Sequence, residues 1–192
     1  MIGAPRPRER DMAQNATIFK ADLTISDMDR HYYATHALTL ARHPSETDER
    51  MMVRLLAFVL NASDTLAFGK GISSDDEPDL WQKDLTGAVE KWIEVGQPDE
   101  KRLRKACGVA REVIVYPYSG NSAGIWWEQN RRAVEKLDKV SVVNVPGEIA
   151  EALAKMAQRT MQLQATVQDG EVWLGDDSGS LQVVLETLKA PK

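Results

Sequence analysis

Cysteine is almost missing from this chain: Cys107 is the one thiol in 192 residues. That excludes an internal disulfide framework and a zinc site built from several cysteines. It fits a reducing compartment. Within KACGVA, Cys107 reads as a small core residue near a helix end rather than a nucleophile. Long apolar runs are missing too, and none approaches the roughly 20 residues that span a bilayer. The first fifteen residues, MIGAPRPRERDMAQN, carry arginines but no apolar stretch, so they read as a loose N-terminal extension (1–15), not a secretory signal. These absences point to the cytoplasm and away from a membrane. Histidine is scarce, and His31, His36 and His43 show no metal-ligand spacing. No dinucleotide or P-loop signature occurs. With 24 basic and 29 acidic residues the net charge is −5, which argues against indiscriminate nucleic-acid binding but allows a local basic patch.

What is present is an ordinary globular composition, 43% hydrophobic and 28% charged, of a length that favours one domain, over residues 16–187. Residues 16–26 and 31–42 are β-rich and partly alternating around the turn-like DMDR, which predicts an antiparallel hairpin. Met51, Met52, Leu55, Leu56, Val59 and Leu60 recur at helical spacing and predict a helix over 45–61, with Ser45 and Asp48 as its capping box. Short strands are expected at 64–72, 79–84 and 88–95. A helix opens at Pro98-Asp99-Glu100 and closes at Gly108. REVIVYPY is a strand, SAGIWWEQNRRAVEKL a helix and KVSVVNV a strand. This alternation across 88–144 predicts parallel strands with right-handed crossovers. A helix follows over 147–159. Asp169-Gly170 between alternating runs marks a second hairpin, and SLQVVLET is a last strand. The two terminal hairpins are placed to pair as a second sheet. In IWWEQN, one of Trp126 and Trp127 is expected in the core, with the other lining a groove.

Two acids stand out. Pro78-Asp79 opens the second short strand and Glu94 lies near the end of the third, fifteen residues on. Neighbouring strands can bring both carboxylates to one divalent cation, and Mg²⁺ needs only one or two because it keeps several waters. A helix, three strands, a helix and a strand, carrying these two acids, resembles the core of the PD-(D/E)xK nuclease superfamily. That likeness asks for a lysine two residues past the glutamate, on the same face of the strand. Gly96 stands there instead. The task then falls to Gln97, if a bulge at Gly96 turns it inward, or to a cation from elsewhere. Lys101, Arg104 and Lys105 of KRLRK, and Lys83, are the candidates to engage phosphate. Glu49 is the candidate third metal ligand. Read alone, a Pro-Asp pair is common in turns, and KRLRK is commonly a solvated helix face.

The chain as a whole resembles one family. FKADL, DMDRHYY, HALTLARHPSETDERMMVRLLAF, DEPDLWQKDLTG, WIEVGQPDEKRLRKACG, IWWEQN and QLQATVQDG are similar to the bacterial YaeQ family over about residues 16–174. The resemblance implies an α/β fold in which a mixed sheet with flanking helices forms a variant of the PD-(D/E)xK fold, with hairpins from both termini added. It implies that EVGQ in place of a lysine motif belongs to the family pattern. Two functions stay open. One is a nuclease using Mg²⁺ or Mn²⁺ held by Asp79, Glu94 and Glu49, with Gln97 and Lys101 at the lost lysine's place. The other is a non-catalytic protein that binds nucleic acid, or a protein partner in transcription. The oligomeric state is left open.

Overall fold

The computed structural model describes residues 16–70 and 76–192; the N-terminal extension lies outside them. β1 (Thr17–Asp27) and β2 (Tyr32–Arg42) form the expected hairpin, paired through eleven positions from Thr17↔Arg42 to Asp27↔Tyr32. α1 (Asp48–Asn61) begins three residues later than expected. Thr47 is its cap, accepting the Arg50 N–H at 3.2 Å, while the Ser45 hydroxyl is held by His43 Nδ1 at 2.7 Å. β3 (Leu66–Phe68), β4 (Leu80–Lys83) and β5 (Val89–Val95) follow. α2 (Glu100–Val109) starts at Asp99, whose carboxylate accepts the Arg102 N–H at 2.7 Å. Gly108 does not close it: the helix runs on to Val109 and Ala110 enters the next strand directly. Then come β6 (Ala110–Tyr116), α3 (Asn121–Val134), β7 (Val140–Asn144), α4 (Gly147–Lys155), β8 (Thr160–Gln168), β9 (Glu171–Asp176), β10 (Gly179–Val183) and β11 (Glu186–Lys189).

The strands form two mixed sheets, ordered β10-β9-β8-β1-β2 and β11-β7-β6-β5-β4-β3. The terminal hairpins do join, through the parallel pair β1 and β8. β5, β6 and β7 are parallel, as the strand–helix alternation requires. The expected single strand SLQVVLET is instead two strands in different sheets. The chain crosses at Val184 and Leu185, where Leu185 packs against the core and Val184 is exposed.

α1 explains the layering. From Met51 to Val59 it is buried on every side, which one sheet cannot do to a helix. It packs against α4, and the two share one core with the inner face of the first sheet and with Leu80, Ile93 and Val95 of the second. A second core, with Trp92, Leu103, Val113, Val115, Trp126 and Trp127, lies between the second sheet and helices α2 and α3. Both tryptophans are therefore buried, contrary to the expected division. Their large indoles tilt together at 6.3 Å, and Trp126 Nε1 donates to the Pro98 carbonyl at 2.9 Å.

Candidate functional site

Asp79 directly precedes β4, whose Leu80 pairs with Ile93 of β5, and the Asp79 N–H donates to the Ile93 carbonyl at 3.1 Å, so Asp79 and Glu94 lie on neighbouring strands at one end of the β4–β5 ladder. Both are buried, 3% and 5% exposed. Each is then claimed by a different helix. Asp79 Oδ1 accepts from Arg50 Nη2 of α1 at 2.6 Å, and Oδ2 accepts the Val95 N–H at 2.7 Å. Asp79 thus supplies the acceptor for a strand N–H at the point where β4 ends. Glu94 Oε1 accepts from Trp92 Nε1 at 2.6 Å and from Arg102 Nε of α2 at 2.7 Å. Burial pushes the Glu94 carboxyl above its ordinary range. The Trp92 N–H and the Arg102 guanidinium pull it back only in part, and the nearby Asp79 charge adds to the rise.

Behind Asp79 runs a chain of ion pairs. Arg50 Nη1 also donates to Glu46 Oε1 at 2.9 Å. Arg54, 2% exposed in the middle of α1, holds both Glu46 oxygens at 2.8 Å. Burial pulls the Arg50 guanidinium down, but the Asp79 and Glu46 carboxylates outweigh it and hold it above its ordinary value. Three carboxylates (Glu46, Asp79, Glu94) face three guanidiniums (Arg50, Arg54, Arg102). Among the described residues these six charges balance.

The lysine position is structurally committed. Gly96 is buried with φ of 112°, a conformation that favours glycine, and a Cβ there would sit 3.8 Å from Tyr118 Cε1. Gln97 is not turned inward. It is exposed, and its Nε2 donates to the Tyr118 carbonyl at 3.3 Å and to Ser122 Oγ at 3.0 Å, tying the segment after β5 to the first turn of α3 and the loop before it. Tyr118 leans over this end of the sheet. Burial raises its hydroxyl's pKa; Arg50 lowers it, and Glu49, Glu46 and Asp79 raise it further. Glu49 accepts from Ser119 Oγ at 3.4 Å.

The other predicted cations lie on the periphery. Lys83 Nζ sits 3.4 Å from the centroid of the Trp81 ring. Arg104 pairs with Glu100 at 2.6 Å within α2, and Lys105 with Asp76 at 2.6 Å. Lys101 is exposed. Asp99, Lys101, Arg102 and Lys105 line a cleft of about 290 Å³. Arg102, the neighbour of Lys101, is the member of KRLRK that reaches Glu94, and it also donates to the Glu77 carbonyl at 2.8 Å.

As arranged, Asp79 and Glu94 do not fit Mg²⁺ or Mn²⁺. Both Asp79 oxygens are engaged, by the Arg50 guanidinium and the Val95 N–H, and Glu94 Oε1 takes both the Trp92 N–H and the Arg102 guanidinium, so a cation would share these carboxylates with two arginines. Among the described residues, no three His, Cys, Asp or Glu side chains group to hold a metal. Sequence reasoning missed Glu46, Arg50, Arg54, Arg102 and Tyr118. The available signal was Arg54, a charge inside the run MMVRLLAFV, since a buried arginine demands a buried carboxylate.

A sequence model of the YaeQ protein family matches residues 12–185. The YaeQ protein of Escherichia coli K12 is 44% identical over 180 residues, covering 94% of this chain and 99% of its own. That of Salmonella typhi is 44% identical over 181 residues with the same coverage. The crystal structure of YaeQ from Xanthomonas axonopodis pv. citri is 50% identical with a TM-score of 0.87, over 92% of this chain and 99% of that one. YaeQ from Pseudomonas syringae is 38% identical with a TM-score of 0.87, over 91% and 97%. With its family pattern matched across nearly its whole length, the chain belongs to the YaeQ family.

Proposed function

We propose that this protein is a non-catalytic binding protein on a nuclease-like scaffold, a variant of the PD-(D/E)xK fold, that engages nucleic-acid phosphates without cleaving them. One observation carries the reading: the charges that would hold a metal are cancelled within the fold, three carboxylates by three guanidiniums. A metal-dependent nuclease needs an excess of negative charge at the cation and a positive group near the attacking water. Among the described residues the six paired charges leave no excess, and Gly96 offers no positive group. The surface that supports a phosphate ligand is the exposed side of α2, where Lys101 lines a cleft and Arg104 lies nearby, paired only within its own helix to Glu100. Among the described residues no helix is long and apolar enough to cross a membrane.

The test is fluorescence anisotropy with labelled single-stranded, double-stranded and branched oligonucleotides at two salt concentrations, with cleavage followed in the same samples. The expected result is salt-sensitive binding, because each phosphate contact releases counterions. Binding should weaken in Lys101→Ala/Arg104→Ala, and no cleavage should appear with Mg²⁺ or Mn²⁺. Absence of binding to every oligonucleotide sinks the nucleic-acid reading and leaves a protein partner, for example in transcription.

The placement of Asp79 and Glu94 at one end of neighbouring strands favours a second reading, a nuclease whose metal enters when substrate draws Arg50 or Arg102 away. Cleavage that disappears in Asp79→Ala supports it. Cleavage equal in wild type and Asp79→Ala is a contaminant.

A further inference from the structure

The outer face of the first sheet, away from α1 and α4, is bare of helix among the described residues. Its strand register lines the outward side chains up in rows. One row runs Trp173, Thr166, Ser26 and Tyr33 across β9, β8, β1 and β2. The next holds Gly175, Gln164, Thr24 and Thr35. An aromatic ring stands at each end of the first row, about 14 Å apart over three strand spacings. Trp173 is 38% exposed, the most open of the five tryptophans, and Tyr33 is 62% exposed. Between them stand two hydroxyls, with the Gln164 amide in the next row. Trp173 and Thr166 also line two clefts, of about 510 and 400 Å³. Among the described residues, no hydrogen bond or ion pair within the fold takes up the side chains of Trp173, Thr166, Ser26, Tyr33 or Gln164.

The chemistry of this face selects a ligand. Among the described residues, no lysine, arginine or histidine lines either cleft or stands in either row, and Asp177 and Glu171 lie in the cleft walls, so phosphates and other anions are repelled. Trp173 is the one large apolar side chain in those walls, too little apolar surface for a lipid. A cation would use the acids, but it finds no second ring beside Trp173 to enclose it and leaves the hydroxyls and the amide unused. A sugar uses all of them. Its C–H face stacks on an open indole. Its hydroxyls donate to the carboxylates and accept from the Gln164 amide and the threonine hydroxyl. We infer that this face binds a neutral oligosaccharide, with one sugar ring on Trp173 and the chain reaching across β8 and β1 to Tyr33. The site lies on the other sheet from α2 and is independent of the nucleic-acid reading.

Titration of the full, nitrogen-labelled chain with cellohexaose, maltohexaose and chitohexaose tests this, read at the indole N–H signals in magnetic resonance. The Trp173 signal, identified by its absence in Trp173→Phe, should move in a saturable way with at least one hexaose. The signals of the buried Trp92, Trp126 and Trp127 should stay still. Trp173→Ala should weaken binding at least about tenfold, and Lys101→Ala/Arg104→Ala should leave it unchanged. Tyr33→Ala should weaken the hexaose about three- to tenfold but leave the corresponding disaccharide unaffected, because a disaccharide on Trp173 does not reach Tyr33. Circular dichroism checks that each variant is folded, and Tyr33→Ala carries the test if Trp173→Ala is not. No saturable shift with any of the three hexaoses overturns the inference, as does equal binding by wild type and Trp173→Ala. A hexaose indifferent to Tyr33→Ala overturns the path across the sheet. A Trp173 shift produced by tetralysine or by an oligonucleotide, but by no hexaose, gives the face to a cation or a nucleic acid and overturns the inference too.

Discussion

Arg50 Nη2 lies 2.6 Å from Asp79 Oδ1, and the second Asp79 oxygen accepts the Val95 N–H at 2.7 Å. One residue of α1 therefore answers the acid that the nuclease likeness marks for a metal. With the Arg50 side chain 16% exposed and Asp79 3%, the pair is desolvated. Removing one partner strands a buried charge. Arg50→Ala should lower stability by about 3–5 kcal/mol. The double change Arg50→Met/Asp79→Asn should cost clearly less than the sum of the two single changes, because neither charge is then left alone. Urea denaturation of the four proteins measures the coupling. Additive losses would show that the two side chains do not depend on each other.

Glu94 gives the opposite sign to an exposed ion pair. Its carboxyl is raised above the ordinary 4.5, first by burial. A folded-state value above the unfolded one means that the folded protein holds the proton more tightly. The associated stability is present below pH 4.5 and is lost as pH rises through the folded value. Glu94→Gln keeps an acceptor for the Trp92 N–H and removes the titration. The stability of wild type relative to Glu94→Gln should therefore decline as pH increases above 4.5, then level off. Denaturation at a series of pH values reads this out, and a difference that grows with pH would contradict the burial argument.

Much of this architecture was legible because it rests on local period and turn chemistry. Asp169 and Gly170 adopt φ of 55° and 77°, as a two-residue hairpin demands, and the pair names itself in the sequence. The three parallel strands followed from alternation, and Asp79 and Glu94 lie on the adjacent strand ends where their spacing puts them. What the acids touch was not legible. Arg50 and Arg102 sit on helices among other cations, and which one reaches inward depends on the rotation of each helix against the sheet, a tertiary property. Lys101 and Arg102 are sequence neighbours, yet the latter meets Glu94 and the former is exposed. The split of SLQVVLET between two sheets was hidden for a similar reason, since both halves are equally β-prone.

Tyr116 and Asn61 form a buried polar contact beneath α1. Asn61 Nδ2 donates to the Tyr116 hydroxyl at 2.8 Å and to the Ala57 carbonyl at 2.9 Å. Burial, only partly offset by that hydrogen bond, pushes the phenol from 10.0 to about 12. The folded state keeps its proton over a range where the unfolded state releases it, so stability is lost as pH rises from 10 toward about 12. Tyr116→Phe should cost about 1 kcal/mol at neutral pH, since Asn61 retains one acceptor. It should also lose less stability than wild type over the alkaline range. Equal alkaline losses in the two proteins would place the sensitivity elsewhere.

The position of the missing lysine permits a direct test of the non-catalytic reading. Gly96 has φ of 112° and a buried backbone whose N–H donates to the Tyr116 carbonyl at 2.9 Å. A side chain there would meet Tyr118 Cε1 at 3.8 Å, an ordinary contact, so the obstacle is the backbone conformation rather than space. Gly96→Ala should cost about 1–3 kcal/mol through that strain alone. Gly96→Lys should cost a similar amount, because its extra length adds no close contact at Cβ. If the site were a nuclease wanting only its lysine, Gly96→Lys would gain cleavage with Mg²⁺ while remaining folded. We expect no gain. Asp79 and Glu94 already have Arg50 and Arg102, so the ammonium finds no unpaired carboxylates to serve and its flexible stem turns to solvent. Thermal unfolding and a cleavage assay on Gly96→Ala and Gly96→Lys side by side separate the two outcomes: equal losses of stability with no turnover support a closed structural cluster, and turnover in the lysine variant alone refutes it.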